Sequence, residues 1–458
     1  MGSNAMTSGV PWKHTLRFSL PVLAGALLQQ LYNTVDTIVV GNFSGESSLA
    51  AVGTTGNFAF FFLAVALGIS AGNGIAVAQN YGAKDEALMR RNASTGILLL
   101  LSLGVVLSVV AIAVSRVSFV RLVAVPEEIL PETLLYFRIF SAGLVFQFGY
   151  NAVASILRAV GDSKATLYFL LVASVLNVAL DLLLVAVLQM GVAGAAVATV
   201  VSQAASLAAA FAYMQRRYPV FRFGLFGYSW DFALAQRTVA LGLPIMLQLV
   251  VVSCGLTFIQ RAVNGFGASM TAAFAVGQRV EMYMSLPCNA FQTTLATYTG
   301  QNVGAQKMFR VRIGAQQTVL MSVLMTLCIS VLVFLFSGPI VALFGLSNTA
   351  AEYGVSFIRA IAIINIVLSL YIPLFGVFQG TGHGDAAMIV AICALSMRVA
   401  ATYLFKDGSL FGHTIVWWNG IFGFSAGLVV TWAYYLSGKW KKMKILKRSC
   451  YRGDPRQA

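Results

Sequence analysis

Charge is scarce in this chain, and negative charge is scarcer. Only 10% of its 458 residues are charged, with 15 Asp and Glu against 30 Lys and Arg. A soluble domain carries about 25% charged residues. With 59% hydrophobic residues and a mean hydropathy of +0.82, the chain is not a water-facing globule and reads as a polytopic membrane protein. Histidine is nearly absent: His14, His383 and His413 fall near expected helix ends, leaving no histidine relay or zinc triad. The five cysteines, Cys254, Cys288, Cys328, Cys393 and Cys450, are odd in number and lack CxxC or Cys–His spacing. They read as small core residues, which argues against a disulfide framework and against a metal site. No cluster of His, Cys or Asp marks a membrane-face enzyme, so neither enzymatic activity nor a resident cofactor is expected. Residues 1–5 read as an expression scar ahead of Met6, and no cleavable signal peptide is evident.

The net charge of +15 does not point to nucleic acid. Its basic residues gather in alternate loops, as the positive-inside rule requires. They are Lys13 and Arg17, then Lys84, Arg90 and Arg91, then Arg158 and Lys164, then Arg216, Arg217, Arg222 and Arg237, then Lys307, Arg310 and Arg312, and finally a basic tail over 438–458. The intervening loops at 41–47, 189–191 and 337–354 contain no basic residue, with Arg116, Arg121 and Lys406 as minority exceptions. Both termini are therefore expected in the cytoplasm, with the chain a multi-pass monomer in the cytoplasmic (inner) membrane.

Apolar spans fall at 15–41, 48–78, 92–114, 130–159, 165–188, 191–214, 232–262, 269–299, 313–336, 350–379, 385–405 and 410–437. Each is long enough to cross a bilayer, which takes about 20 residues, giving about twelve helices. The halves repeat. Leu20-Pro21 recurs as Leu243-Pro244, Val52-Gly53 as Val276-Gly277, Gln79-Asn80-Tyr81-Gly82-Ala83 as Gln301-Asn302-Val303-Gly304-Ala305, and Gly161 as Gly382, all offset by about 222 residues. Six spans per repeat is an even number, so the two lobes share one orientation. They are expected to be related by a pseudo-twofold along the membrane normal, with a cavity between them. The domains read as an N-lobe over 6–214, a cytoplasmic linker over 215–231 and a C-lobe over 232–437.

Against this apolar background a few polar residues stand out. Asn177 and Asp181 lie four residues apart, on one helical face. Asp36 lies in the first span. Counted from the outer helix ends, Asp36, Asp181 and Thr199 all sit roughly 7–12 Å deep, with Asn177 about 6 Å deeper. Carboxylates at membrane depth are read as functional. A buried carboxyl favours its neutral form, and a second one nearby favours sharing a proton. These four residues could hold H⁺, or Na⁺ in a shell of oxygens. The plainer alternatives are a helix cap near Gly41 for Asp36 and a structural hydrogen bond between Asp181 and Asn177. In the second half, Glu281 touches substrate or relays a proton, or else pairs with Arg279 or Arg398; the ion pair is the favoured reading. Phe58, Phe61, Phe146, Tyr150 and Met282 could line a pathway for flat organic cations, although packing is the commoner role of such residues. Pro21 and Pro244 sit early in corresponding helices, where a freed carbonyl permits bending.

These residues resemble the multidrug and toxic compound extrusion (MATE) transporters nearly end to end. The resemblance is carried by the Leu-Pro openings, the doubled Gln-Asn-x-Gly-Ala loops, Arg158-Ala-Val-Gly-Asp162, Asn177-Val-Ala-Leu-Asp181, and Gln278-Arg-Val-Glu281 followed by Pro287. It implies two six-helix lobes in a V that export cationic, amphipathic small molecules in exchange for H⁺ or Na⁺. In the DinF-like branch, which places its cation site in the N-lobe, Asp36, Asn177, Asp181 and Thr199 match the site residues. The carboxylates that another branch carries in its seventh and tenth helices are missing here, which points to the N-lobe type. The competing expectation is a flippase for a lipid-linked or anionic substrate. It would need an arginine-dominated cavity, for which Arg261, Arg279, Arg359 and Arg398 are the candidates.

Overall fold

Helix length in this protein is set by the few points where the backbone leaves the right-handed region. A computed structural model describes residues 5–224, 227–346, 348–406 and 411–442. Most of the expected scar (1–4) and the tail from 443 onward, with Lys444, Lys447, Arg448 and Cys450, lie outside the described residues.

The first helical run, α1 (Pro11–Ala83), contains 73 residues and is broken once, at Gly45 with φ 86° and ψ 178°. The expected loop at 41–47 is therefore absent, and two arms of one run meet at a single glycine that can adopt a positive φ. The first lobe continues with α2 (Glu86–Val117), α3 (Leu130–Ala142), α4 (Leu144–Ala159), α5 (Ser163–Asp181) and α6 (Gly191–Arg217). The second comprises α7 (Phe232–Asn264), α8 (Ala268–Gly304), α9 (Met308–Leu335), the short α10 (Ser337–Ala342), α11 (Asn348–Ser369), α12 (Ile372–Gly380), α13 (Gly384–Phe405) and α14 (Ile415–Leu436). Among the described residues nine helices are long and apolar enough to cross a membrane, and the α3–α4 pair, bent by 41°, makes ten. Dividing α1 at Gly45 adds one crossing. The last is α8, which has the length at 37 residues but is too polar to pass on composition. The fold is thus an all-helical membrane fold of two repeated lobes.

The repeat extends to the backbone. Positive φ angles pair across the lobes at Gly45 and Gly267, Lys84 and Gln306, Ala124 and Gly345, and Gly161 and Gly382. Scarce acids serve as caps. Asp85, Asp162 and Asp231 accept hydrogen bonds from the first free amides of α2, α5 and α7, the usual role of Asp at a helix N-terminus. Asp162 also accepts from the hydroxyls of Tyr213 and Tyr218, each at 2.9 Å. Burial, with the Asp162 carboxylate beside it, raises the Tyr218 phenol above its ordinary pKa, so its proton stays available.

The lobes meet at the end that carries Ala83 and Gly304. A Cβ on Gly82 would strike the Gln301 carbonyl, and one on Gly304 would strike the Gln79 carbonyl. Gln79 Nε2 donates to the Gly380 carbonyl at 2.9 Å, while Gln301 Nε2 donates to the Ala159 carbonyl at 2.8 Å. Each glutamine thus reaches the last turn of the other lobe's fourth span. Arg237 donates to the Gln79 side-chain oxygen, and the Met6 amide donates to that of Gln301. Arg310 and Lys307 hold the carbonyls of Met6 to Gly9 against the second lobe. Further along, Gly72 packs on Thr238 and Gly242, small residues that let α1 and α7 touch. Beyond that level the lobes part. A Cβ on Gly53 or Gly56 would meet nothing among the described residues within 4 Å, and Phe60, Phe61, Met282 and Tyr283 are exposed.

Candidate functional site

Four helices of the first lobe turn polar stripes toward one another. On α1 the stripe is Pro21, Gly25, Gln29, Tyr32 and Asp36, and on α5 it is Thr166, Leu170, Ser174, Asn177 and Asp181. Both run with spacings of three and four, the period of one helical face. Thr199, Ser202 and Ser206 come from α6, and Gln147, Asn151 and Arg158 from α4. Together they enclose a cavity of about 280 Å³, lined by every one of these residues except the two acids and bounded on the far side by Thr293 of the second lobe.

The acids stand just past Asn177. Asp36 and Asp181 approach within hydrogen-bonding reach of each other, and the Tyr32 and Tyr136 hydroxyls lie in the field of both. Asp181 is fully buried and Asn177 nearly so, whereas Asp36 is half-buried. No donor of the described protein reaches Asp36 Oδ1 or either oxygen of Asp181, and both polar atoms of Asn177 are unpartnered. The plainer alternative for this pair, a structural hydrogen bond between Asp181 and Asn177, is therefore not formed. Two ionised carboxylates cannot hydrogen-bond each other, and buried polar groups normally find partners. The arrangement suits a shared proton or a bound cation. Thr199 is buried nearby, with its hydroxyl donating to the Ala195 carbonyl at 3.1 Å, so its lone pairs stay free. An apolar cluster of Val39, Val40, Tyr136, Val185 and Val192 seals the site toward Gly45.

A local feature of α5 positions Asp181. Directly after it the helix widens into a π-helix, Leu182–Val187, which rotates the following residues off the regular face. Such segments are rare and often accompany functional sites. Neither Tyr32, Tyr136 nor the π-segment figured in the sequence reading. The stripe Gln29, Tyr32, Asp36 was a usable signal for Tyr32, but nothing local marks Tyr136.

The other singled-out residues are placed differently. Tyr150 lines the cavity, and its hydroxyl donates to the Thr166 carbonyl at 3.3 Å. Phe58 is packed against Phe119 and Phe137, and Phe61 is exposed beside Phe62; neither they nor Phe146, Met282 and Glu281 line this cavity. Pro21 lines it without breaking α1, whose only non-helical residue is Gly45. Pro244 lies within α7. Glu281 Oε1 faces Arg398 Nη1 at 3.7 Å and Glu281 Oε2 accepts from Gln278 Nε2 at 3.2 Å, while Arg279 is exposed.

Residues 21–183 and 244–404 match the MatE family model, one match per lobe. The chain belongs to the MatE family. This MatE protein is 28% identical over 454 residues to a probable multidrug resistance protein, YpnP, of Bacillus subtilis, covering 96% of this chain and 98% of that one. It is 23% identical to a probable multidrug resistance protein, NorM, of Thermotoga maritima, covering 95% and 94%. A solved structure of a MATE protein in complex with MaL6 aligns with a TM-score of 0.91 at 25% identity, covering 97% of this chain and 100% of that one. An outward-facing multidrug resistance MATE transporter aligns at 0.90, with the same identity and coverage. This MatE protein is a multi-pass membrane transporter and not an enzyme.

Proposed function

We propose that this transporter is a secondary antiporter for multidrug efflux, exporting amphipathic organic cations in exchange for H⁺ or Na⁺ by alternating access. Asp36, Asn177 and Asp181 hold the coupling cation, with Thr199 at its edge, in the manner of the family branch whose cation site is in the N-lobe. The observation that carries this reading is the pair of acids at one end of a polar cavity, Asp181 buried and Asp36 half-buried, with no donor among the described residues for Asp36 Oδ1 or either Asp181 oxygen. With both termini in the cytoplasm of a cell whose inner membrane it spans, the closed end faces inward and this conformation faces out. A cation bound between the acids favours one orientation of the cavity over the other, which is what couples its gradient to export. The coupled ion is H⁺ on this reading, because a carboxyl pair can load and release a proton unaided. The flippase reading gains no support from the four arginines named for it. None lines this cavity, Arg398 faces Glu281, and Arg359 donates to Ser337.

The test is ethidium efflux from proteoliposomes under an imposed pH or Na⁺ gradient, normalised to folded protein. Asp36→Asn and Asp181→Asn should each abolish gradient-driven efflux while leaving a folded transporter. Retention of coupled transport by Asp181→Asn would sink the assignment. Transport driven by Na⁺ at clamped pH, and unaffected by protonophore, would exchange H⁺ for Na⁺.

A further inference from the structure

The cavity beneath the acids has one charged lining residue, and it is a cation. Arg158, at the end of α4, faces the same space as Gln147, Tyr150, Asn151 and Ser206. No carboxylate among the described residues pairs with it. Asp162, four residues further on, is engaged by Tyr213, Tyr218 and the Ala165 amide. A half-buried guanidinium without a counter-ion is unusual, since buried charges are normally paired. Gln147 Oε1, on the same wall, is buried without a donor. Along α5, Thr166 and Asn177 line the two ends of the cavity and lie about 16 Å apart by helical rise. The space therefore runs from a positive end at Arg158 to a negative end just past Asn177. At about 280 Å³ it lies at the lower end of the range of small-molecule sites.

We infer that this cavity selects amphoteric substrates, with a carboxylate or similar anionic group held by Arg158 and a cationic group directed toward Asp36 and Asp181. The inference rests on the antiporter reading for the acids but adds a second, oppositely charged contact. Guanidinium is suited to this because its planar donor fork matches a carboxylate in two parallel hydrogen bonds.

The experiment compares two forms of one fluorescent xanthene dye, the amphoteric rhodamine carboxylate and its cationic methyl ester. Binding of each to the full chain in nanodiscs of zwitterionic lipid is measured by anisotropy. The wild-type protein should prefer the carboxylate form, and Arg158→Gln should weaken it by about tenfold or more, the scale of a charge-assisted hydrogen bond. Binding of the ester should not weaken, since the substitution removes a like charge from the cavity wall, and Arg158→Lys should restore part of the preference. Equal affinity of the wild-type protein for the two forms would overturn the inference, even if Arg158→Gln fails to fold. So would loss of the preference on adding phosphatidylglycerol, which would assign Arg158 to a lipid headgroup. Gradient-driven efflux of the ester by Arg158→Gln is read separately. If that fails in the wild type as well, the antiporter reading falls, whereas the carboxylate preference stands or falls by binding alone.

Discussion

The two lobes share a backbone but treat charge in opposite ways. In the first, Asp36, Asn177 and Asp181 form a cluster most of whose polar atoms have no hydrogen-bond partner among the described residues. In the second, the repeat offset of about 221 residues places Arg398 where the first lobe has Asn177. Its guanidinium faces Glu281 at 3.7 Å, donates to Asn419 at 2.9 Å and lies over the Phe424 ring. The second lobe thus carries a tethered cation of its own. The space is also filled there. Gly255, the counterpart of Tyr32, is packed directly against Leu395, and Gly423 against Arg398. A lobe that supplies its own counter-ion and fills the gap has no room for a mobile ion. The lobe that leaves its acids unsatisfied does. On the proposed antiporter reading, one fold would keep a pseudo-symmetric pair of sites and restrict ion exchange to one of them by a few side chains.

Three sets of variants put this contrast under strain. The largest effect belongs to the end where the lobes are alike. Gly82→Val and Gly304→Val each place side-chain atoms on the partner lobe's backbone carbonyl, so neither variant can close that end. Transport per folded protein should fall to background in both, and spin-label distances across the end should lengthen. If only one variant fails, the closed end is not the symmetric lock described above.

Arg398→Leu should act through stability. It leaves Glu281 without its charged partner in a largely buried setting, a loss of about 3 kcal/mol for an ion pair broken on one side. The apparent melting temperature should fall, and the Glu281→Gln, Arg398→Leu double variant should recover most of it. Asp181→Asn should leave melting unchanged or raised, because it removes a buried charge that has no basic partner. An Arg398→Leu protein as stable as the wild type would end the contrast between the lobes.

The smallest effect is expected at the edge of the first-lobe site. Thr199→Ala removes a hydroxyl that already bonds within α6. Proton-driven efflux should change by no more than a few-fold, in line with about 1 kcal/mol for one such group. A several-fold weakening of Na⁺-activated transport in flux assays would instead make Thr199 a Na⁺ ligand.

Much of this protein was legible without coordinates because a membrane restricts the options. Long apolar runs become spanning helices, a constant offset between motifs becomes two lobes, and rare polar residues in apolar runs stand out. Helical periodicity also placed Asn177 and Asp181 on one face, and would have placed Gln29, Tyr32 and Asp36 on another. Periodicity describes a single helix, however. It does not give the rotation of one helix against its neighbour, so the meeting of Asp36 with Asp181 under Tyr136 was decided by packing. Packing likewise turned Glu281 toward Arg398 while Arg279 remained exposed, and left Arg158 facing a cavity with no acid beside it. The expected loop at 41–47 gave way to a single turn at Gly45, because one glycine at positive φ reverses the chain without a longer connection. The glycines at 82 and 304 were visible as a repeat. That they are where the two lobes touch follows only from the tertiary structure, since residues about 220 positions apart come to share one point in space.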